Sequence, residues 1–433
     1  MDEGVNKHYL DHVVGTAAEQ QVEASEDIVG SNGMKLLAKG SLINASIRDR
    51  LLEHRLSKPL EDCVVVVGGV TAAALMPVAQ ELLAQHGLLQ ALCADERAQP
   101  VDQSLARLAL TPQLLSMLSV YAQRQPDRLS HATGVAMLAL SLARRLLPGD
   151  IDRHRMLAIA GLVHDVGELY IDPQLLQASG PLTPEQWKHI VTHPLVGQLV
   201  LKRMAGAGPA VATAVLNHHE RLDGFGYPRG VADDQFPLDG QIIAAAEWLI
   251  ALIESGGNPL AHASVASKLM PGEFSPALLE LISATARGNQ DMAPLMESLT
   301  PVDALAPRLS RIVATLARFQ AQRGWIDRRM AAAAPGLRAL LQMGTLRMLR
   351  IQASFSSTGL DLQDPHRVFT ELKAVPDGHA QLELGALVRE FGWRMRELER
   401  ESMLRAGLLS PAEQAVMREL MARLKGDALE AVP

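Results

Sequence analysis

Two dipeptides constrain this chain more than any other feature: His164-Asp165 in "GLVHDVGELY" and His218-His219 in "LNHHERLDGFGYP". Each follows an apolar stretch with helical spacing, so each belongs on a helix or at its end. Adjacent residues on a helix point about 100° apart, so each pair addresses two neighbouring points in space. A fold that uses both pairs must bring separated helices to one place. His131 in "LSHATGVAMLAL" and His193 in "VTHPLVG" lie in the same helical block and add two further imidazoles.

Imidazole nitrogens mixed with carboxylate oxygens suit iron, manganese, zinc or nickel, whereas magnesium or calcium prefer oxygen alone. A bridging aspartate holds two such ions about 3.5–4 Å apart, the separation used in phosphoester hydrolysis. The other nine histidines of the 14 in the chain occur singly and read as ordinary core or surface residues.

At 433 residues the chain exceeds what one hydrophobic core serves, so two or three domains are expected. Two cysteines, Cys63 and Cys93, cannot build a disulfide framework, which points to a reducing compartment. The start, "MDEGVNKHYLDHVV", is acidic and lacks the apolar core of a secretory signal, so a cytoplasmic location is expected. The most apolar run, 63–79, is broken by Gly68, Gly69 and Pro77, and no transmembrane helix is expected. A net charge of −7 and only 3% aromatic residues argue against a nucleic-acid polymer as partner.

The expected fold is mainly α, in three parts. Residues 1–105 read as a small α/β module: a β-hairpin around "SNG" in "DIVGSNGMKLLAKGSLI", a helix over 44–56, a strand at "CVVVVGG", and helix over 71–92. Residues 106–300 read as an all-helical block. Within it Thr183, Pro184 and Gln186 open a helix that should reach about His193, where Pro194 interrupts it. Residues 301–433 read as a C-terminal helical region, richer in Lys and Arg (19) than in Asp and Glu (15), the reverse of the preceding part. There Leu384, Val388, Phe391, Met395 and Leu398 follow a 4,3,4,3 spacing, and Ser410 with Glu413 opens a last helix.

"HDVG", "THPLVG" 29 positions after His164, and "HHERLDGFGYP" together resemble the HD-GYP family of the HD metal-dependent phosphohydrolases, over about residues 110–290. The resemblance implies an all-helical HD-type bundle holding two or three transition-metal ions, with iron or manganese expected first and zinc or nickel as alternatives. It implies metal ligation by His131, His164, Asp165, His193, His218 and His219, with Asp165 as the bridge and His164 and Asp165 as the catalytic pair. Glu247, 28 positions after His219, stands where the family has a last aspartate ligand, and Asp127 stands where some members hold a third metal. Asp223, Gly224, Gly226, Tyr227 and Pro228 would form a rigid lip, with Tyr227, Arg221 and Arg229 as substrate contacts. The implied activity is bacterial signalling chemistry: hydrolysis of cyclic di-GMP or a related phosphoester by metal-bound hydroxide. The implied partners are a cyclic dinucleotide, a signalling protein such as a GGDEF domain, and a second copy of the chain.

Three positions depart from the family. Glu168 replaces the lysine that usually follows "HDxG", and Gly256 and Pro259 occupy places usually basic. An anion at Glu168 should oppose a phosphodiester, each unit-charge interaction at about 4 Å being worth up to about 4 kcal/mol at an effective dielectric near 20. These departures support an alternative reading: a metal-binding, catalytically weak signalling module acting by nucleotide or protein binding.

Overall fold

The computed structural model describes residues 4–95, 98–125, 127–176, 182–256, 258–269, 272–288, 300–358, 360, 367–374 and 377–426. The chain opens with α1 (Lys7–Thr16), capped by the Asn6 side chain, which accepts from the amides of His8 and Tyr9. Four short strands come next: β1 (Val22–Ala24), β2 (Ile28–Val29), β3 (Lys35–Leu37) and β4 (Val64–Val66). β2 and β3 form the antiparallel hairpin expected around "SNG", and β4 pairs antiparallel with β1, Val22 opposite Val66. The helix expected over 44–56 is shorter, Arg48–Leu52, after a 3-10 turn capped by Asn44. The expected 71–92 helix breaks at His86, whose extended backbone separates α2 (Leu75–Gln85) from a second helix at Gly87–Cys93.

The next block is helical: α3 (Pro112–Ala122), α4 (Arg128–Leu146), α5 (Ile151–Leu162), α6 (Pro184–Ile190), α7 (His193–Leu201), α8 (Gly208–Leu216), α9 (Leu238–Glu254) and α10 (Pro276–Gly288). No strand occurs among its described residues. Every residue from Ala132 to Ala143 is buried, so α4 is its central element, packed by α2, α5 and α9. The helix starting at Pro184 carries the expected capping box but stops at Ile190. Pro194 therefore does not interrupt it. It sits in the first turn of α7, where its missing N–H removes no helical bond.

The C-terminal part contains four long helices, α11 (Val302–Ala332), α12 (Pro335–Ser357), α13 (Gly378–Ala406) and α14 (Pro411–Lys425), which pack on one another, and a short helix, Arg367–Ala374, against α11. Of the residues with 4,3,4,3 spacing, Leu384, Val388, Phe391 and Leu398 are buried in this bundle, Phe391 against Phe355 of α12. The seam is thus covered within the chain. Among the described residues no helix is long and apolar enough to cross a membrane.

One close approach of backbone to backbone ties the end of α5 to α7. After α5 the chain makes a 3-10 turn, Val166–Tyr170, that lies against α7. A Cβ at Gly167 would fall onto the His193 carbonyl oxygen and lie 2.8 Å from the Gly197 amide nitrogen. Gly167→Ala is expected to destabilise the protein by about 1–3 kcal/mol or more, because backbone must move to admit the methyl group. A lowered urea midpoint measures it, and an unchanged midpoint would show that the contact yields freely.

Candidate metal centre

The last carbonyls of a helix lack amide partners. This chain satisfies three of them with imidazoles. His164 lies just after α5 and its Nδ1 is 2.8 Å from the Gly161 carbonyl; His218 lies just after α8, with Nδ1 2.6 Å from the Val215 carbonyl. His193 opens α7, and its Nδ1 is 2.8 Å from the Ile190 carbonyl at the end of α6. In each case the acceptor is three residues earlier. Donation from Nδ1 fixes the ring and turns Nε2 toward a common centre. Three helix C-termini point there as well, and their partial negative charge favours a cation.

Two groups of ligating atoms result, and Asp165 belongs to both. One holds His131, His164 and Asp165; the other holds Asp165, His193, His218 and His219; within each, the ligand atoms lie within 4.8 Å of one another. Asp165 turns Oδ2 to His164 Nε2 at 3.3 Å, and Oδ1 to the Nε2 atoms of His193 and His218 at 3.3 and 3.4 Å. Glu247 Oε2 lies 3.1 Å from His131 Nε2 and 3.2 Å from His164 Nε2, so it joins the first group. The Nε2 atoms themselves face one another, 3.3 Å apart for His131 and His164 and 3.1 Å for His193 and His218. Such a donor set, imidazole nitrogens with carboxylate oxygens and each anchored ring backed by a carbonyl, fits first-row divalent metals.

Burial and the facing charges set the proton affinities of these groups. Burial opposes charge on His131, yet the Glu247 and Glu254 carboxylates push it up to about 10. Burial likewise opposes charge on His164, but Asp165 and Glu247 raise it well above its usual value. His218 is lowered to about 4 and His219 well below its ordinary range, mainly by burial. Burial alone would raise Asp165 and Glu247, but the surrounding histidines override it and hold both carboxyls well below the carboxylate range.

Several groups around the centre carried no signal in the sequence. Glu254, two turns after Glu247 on α9, accepts from His131 Nδ1 at 2.7 Å. Tyr121 donates to Asp165 Oδ2 at 3.4 Å and accepts from Arg128 at 3.2 Å. Glu220, fully buried, accepts from the amides of Arg229 and Val231 and so ties both ends of the motif loop. An i,i+7 pair on one helix face could have suggested Glu254; Tyr121 and Glu220 meet their partners only through tertiary packing.

The motif loop packs as a lip. Tyr227 stacks on the His219 ring with centroids 4.5 Å apart. A Cβ at Gly226 would meet the backbone of His219, Glu220 and Arg221, which explains glycine there. Asp223 binds Arg347 and Arg350 of α12, each at 3.5 Å. Arg405 of α13 donates to the carbonyls of Phe225 and Gly226, at 2.7 and 3.1 Å. The C-terminal bundle therefore grips the lip.

The remaining predicted residues are placed as follows. Arg221 is turned away from the centre: it donates to the Glu220 carbonyl at 2.8 Å and lies over the Phe274 ring. Arg229 binds the Asn217 side chain at 2.7 Å. Both hold the loop internally. Asp127 is exposed at the start of α4 and belongs to neither ligand group. Glu168 presents no bare charge, because Arg124 and Arg128 bind its Oε2 at 3.0 and 3.1 Å. Among the remaining histidines His154 and His262 are buried and bonded to backbone carbonyls, while His366 lies outside the described residues.

Comparison with known proteins agrees with this geometry. Residues 112–271 match the family model described as HD domain. The 3'3'-cGAMP-specific phosphodiesterase 3 of Vibrio cholerae is 28% identical over 256 residues, covering 57% of this chain and 54% of that protein. A cyclic di-GMP phosphodiesterase of Thermotoga maritima is 30% identical over 181 residues, covering 39% and 48%. The chain carries an HD domain over residues 112–271. It spans about half the length of these curated relatives. Bd1817, an HDG"Y"P protein of Bdellovibrio bacteriovorus, superposes with a TM-score of 0.34 at 15% identity, covering 62% of this chain and 95% of that one. An HD domain implies divalent-metal binding, and the two His/Asp groups lie within the matched segment.

Two outcomes are expected of this HD domain. Glu254→Ala should weaken metal affinity about ten- to hundredfold, the usual cost of removing a carboxylate that orients a ligating histidine; competition with a chelating dye reads it, and unchanged affinity would remove Glu254 from the site. Metal uptake should also release protons, because Glu247 and Glu254, against the effect of burial, push His131 up to about 10 and so favour its protonated form at pH 7. Affinity should therefore rise with pH through the neutral range. Calorimetry in buffers of different ionisation heat measures the release, and heats independent of buffer would contradict it.

Proposed function

We propose that the HD domain is a metal-dependent phosphodiesterase that opens a cyclic dinucleotide, cyclic di-GMP or a related 3',3'-linked diester. The observation that carries this reading is the split of the Asp165 carboxylate, one oxygen toward each histidine group. That arrangement suits two ions sharing Asp165: His131, His164 and Glu247 would hold one, and His193, His218 and His219 the other. Iron or manganese fits the mixed nitrogen and oxygen donors best, with zinc or nickel as alternatives. When bound, such ions polarise a phosphoryl oxygen and make water a competent nucleophile at neutral pH.

The chain's own residues supply position and exclusion. The Tyr121 hydroxyl and Arg128 hold Asp165 from behind, so the carboxylate keeps its orientation between the two groups. Tyr227, stacked on His219, sets an aromatic edge beside the centre on which a purine base could rest. Asp223 to Pro228 form a lip whose backbone is fixed from inside by Glu220 and from outside by Arg405. The substrates named for the relatives are cyclic dinucleotides, which supports the same substrate class here.

One observation favours the alternative, a metal-binding module with weak turnover. Arg124, Arg128, Arg221 and Arg229 are all engaged by protein partners. A substrate phosphate would have to displace them or rely on the metals alone.

The deciding experiment is anaerobic purification, elemental analysis, and chromatography of cyclic di-GMP and 3'3'-cGAMP incubated with the loaded protein. Linear dinucleotide or mononucleotide is the expected product. Metal at two per chain without turnover of either would favour the alternative, and well under one metal per chain would overturn both. Asp165→Ala should lose more metal than Glu247→Ala, since one faces both groups and the other one; equal losses would refute the shared carboxylate. Glu168→Lys, which places a third cation beside Arg124 and Arg128, should destabilise the fold and not improve turnover. A gain in rate from the folded variant would mean that Glu168 does repel substrate.

A further inference from the structure

Away from the metal centre, the four C-terminal helices do not fill their own interior. Between them lies a pocket of about 580 Å³, partly open to solvent and within the range that takes a small organic ligand. Its inner wall is apolar and buried: Ile312, Phe319, Leu341, Met348, Leu398 and Leu420 contribute from all four helices. Gly344 of α12 leaves part of it open, because a Cβ there would meet nothing within 4 Å. Two hydroxyls, Thr345 and Ser402, are the buried polar groups of the wall. Apolar surface lining a pocket open to water is costly, and an apolar ligand that covers it is favoured.

The mouth has a different character. Arg308, Arg311, Arg389, Arg396 and Lys425 line the cavity and are exposed, whereas Glu399 is the single acid among the lining residues. Glu399 is already bound to Lys425 at 2.5 Å, and Arg389 reaches the Gly256 carbonyl. Arg308, Arg311 and Arg396 have no ion pair among the described residues. An apolar pocket lined also by exposed guanidinium groups without ion pairs suits an amphiphile with a single alkyl chain and an anionic head, of which a carboxylate is the simplest.

We propose that the C-terminal bundle is a binding site for a fatty acid, its chain in the cavity and its carboxylate on Arg311 and Arg396. The site is separate from the metal centre and does not depend on the phosphodiesterase reading. Guanidinium pairs carboxylate in a bidentate fork, which favours the acid over a neutral or cationic head. Each added methylene that enters the cavity should tighten binding by up to about fourfold, until the space is full.

Calorimetric titration of the full chain with octanoate, decanoate and dodecanoate, below their micellar concentrations, tests this. One site per chain is expected, tightening with length, and dodecyltrimethylammonium should bind at least tenfold more weakly than dodecanoate. Gly344→Leu, a helix-compatible change that fills the cavity, should abolish binding. Arg311→Gln with Arg396→Gln should weaken dodecanoate at least tenfold. Equal binding of the cationic amphiphile, no dependence on length, or full affinity in folded Gly344→Leu would each overturn the proposal. A second measurement needs no variant: a diazirine-bearing dodecanoate should label peptides from the four C-terminal helices, and labelling confined to other regions would also overturn it.

Discussion

The bond between an imidazole Nδ1 and the carbonyl three residues before it is the interaction on which the centre depends. It occurs at Gly161 with His164, Ile190 with His193 and Val215 with His218. Each closes an otherwise unpaired helix end and at the same time aims Nε2 inward. Helix termination and ligand orientation are thus one event. A ring pointing elsewhere would leave both a bare carbonyl and a gap among the ligand atoms.

Packing then decides how the separate helix ends meet. Gly167 and Gly197 let the turn after Asp165 lie against α7, which brings Asp165 to His193 and His218. On the far side α9 crosses α4, so Glu247 faces the Nε2 of His131 and Glu254 its Nδ1. Asp165 is buried, and its orientation is held by Tyr121 as well as by histidines. Buried charge of this kind is stable only when its partners are complete.

Buried charge also ties the C-terminal bundle together. Arg347 is buried among Asp223, Glu273 and Glu397 and lies over the Phe225 ring, while buried Arg394 pairs with Glu390 and Glu273. These charges join α12 and α13 to the motif loop. α13 therefore presents Arg405 to the lip beside the metal centre and Arg389, Gly392 and Arg396 to the cavity. One helix is common to both sites, which gives the arginine-rich composition of this region a structural use.

The sequence by itself determined the identity and order of the histidines and carboxylates that gather at the centre. Paired and spaced histidines, the helical periodicity around them, and the caps at Thr183 and Ser410 are local features, legible because helix signals act within a few residues. Pro194 reads along the chain as the end of one helix but sits in the first turn of the next, because whether a proline ends or begins a helix depends on where the chain turns. Only the tertiary structure decided the rest. Glu168 reads as an exposed anion along the chain and is neutralised by Arg124 and Arg128 in space; Arg221 and Arg229 read as free cations and are bound within the loop. Glu254, Tyr121 and Arg405 acquire their roles from residues 44 to 180 positions away. The physical reason is that a ligand can be recognised by its own chemistry, whereas the effect of a charge depends on what lies within a few ångströms of it, and that is set by packing.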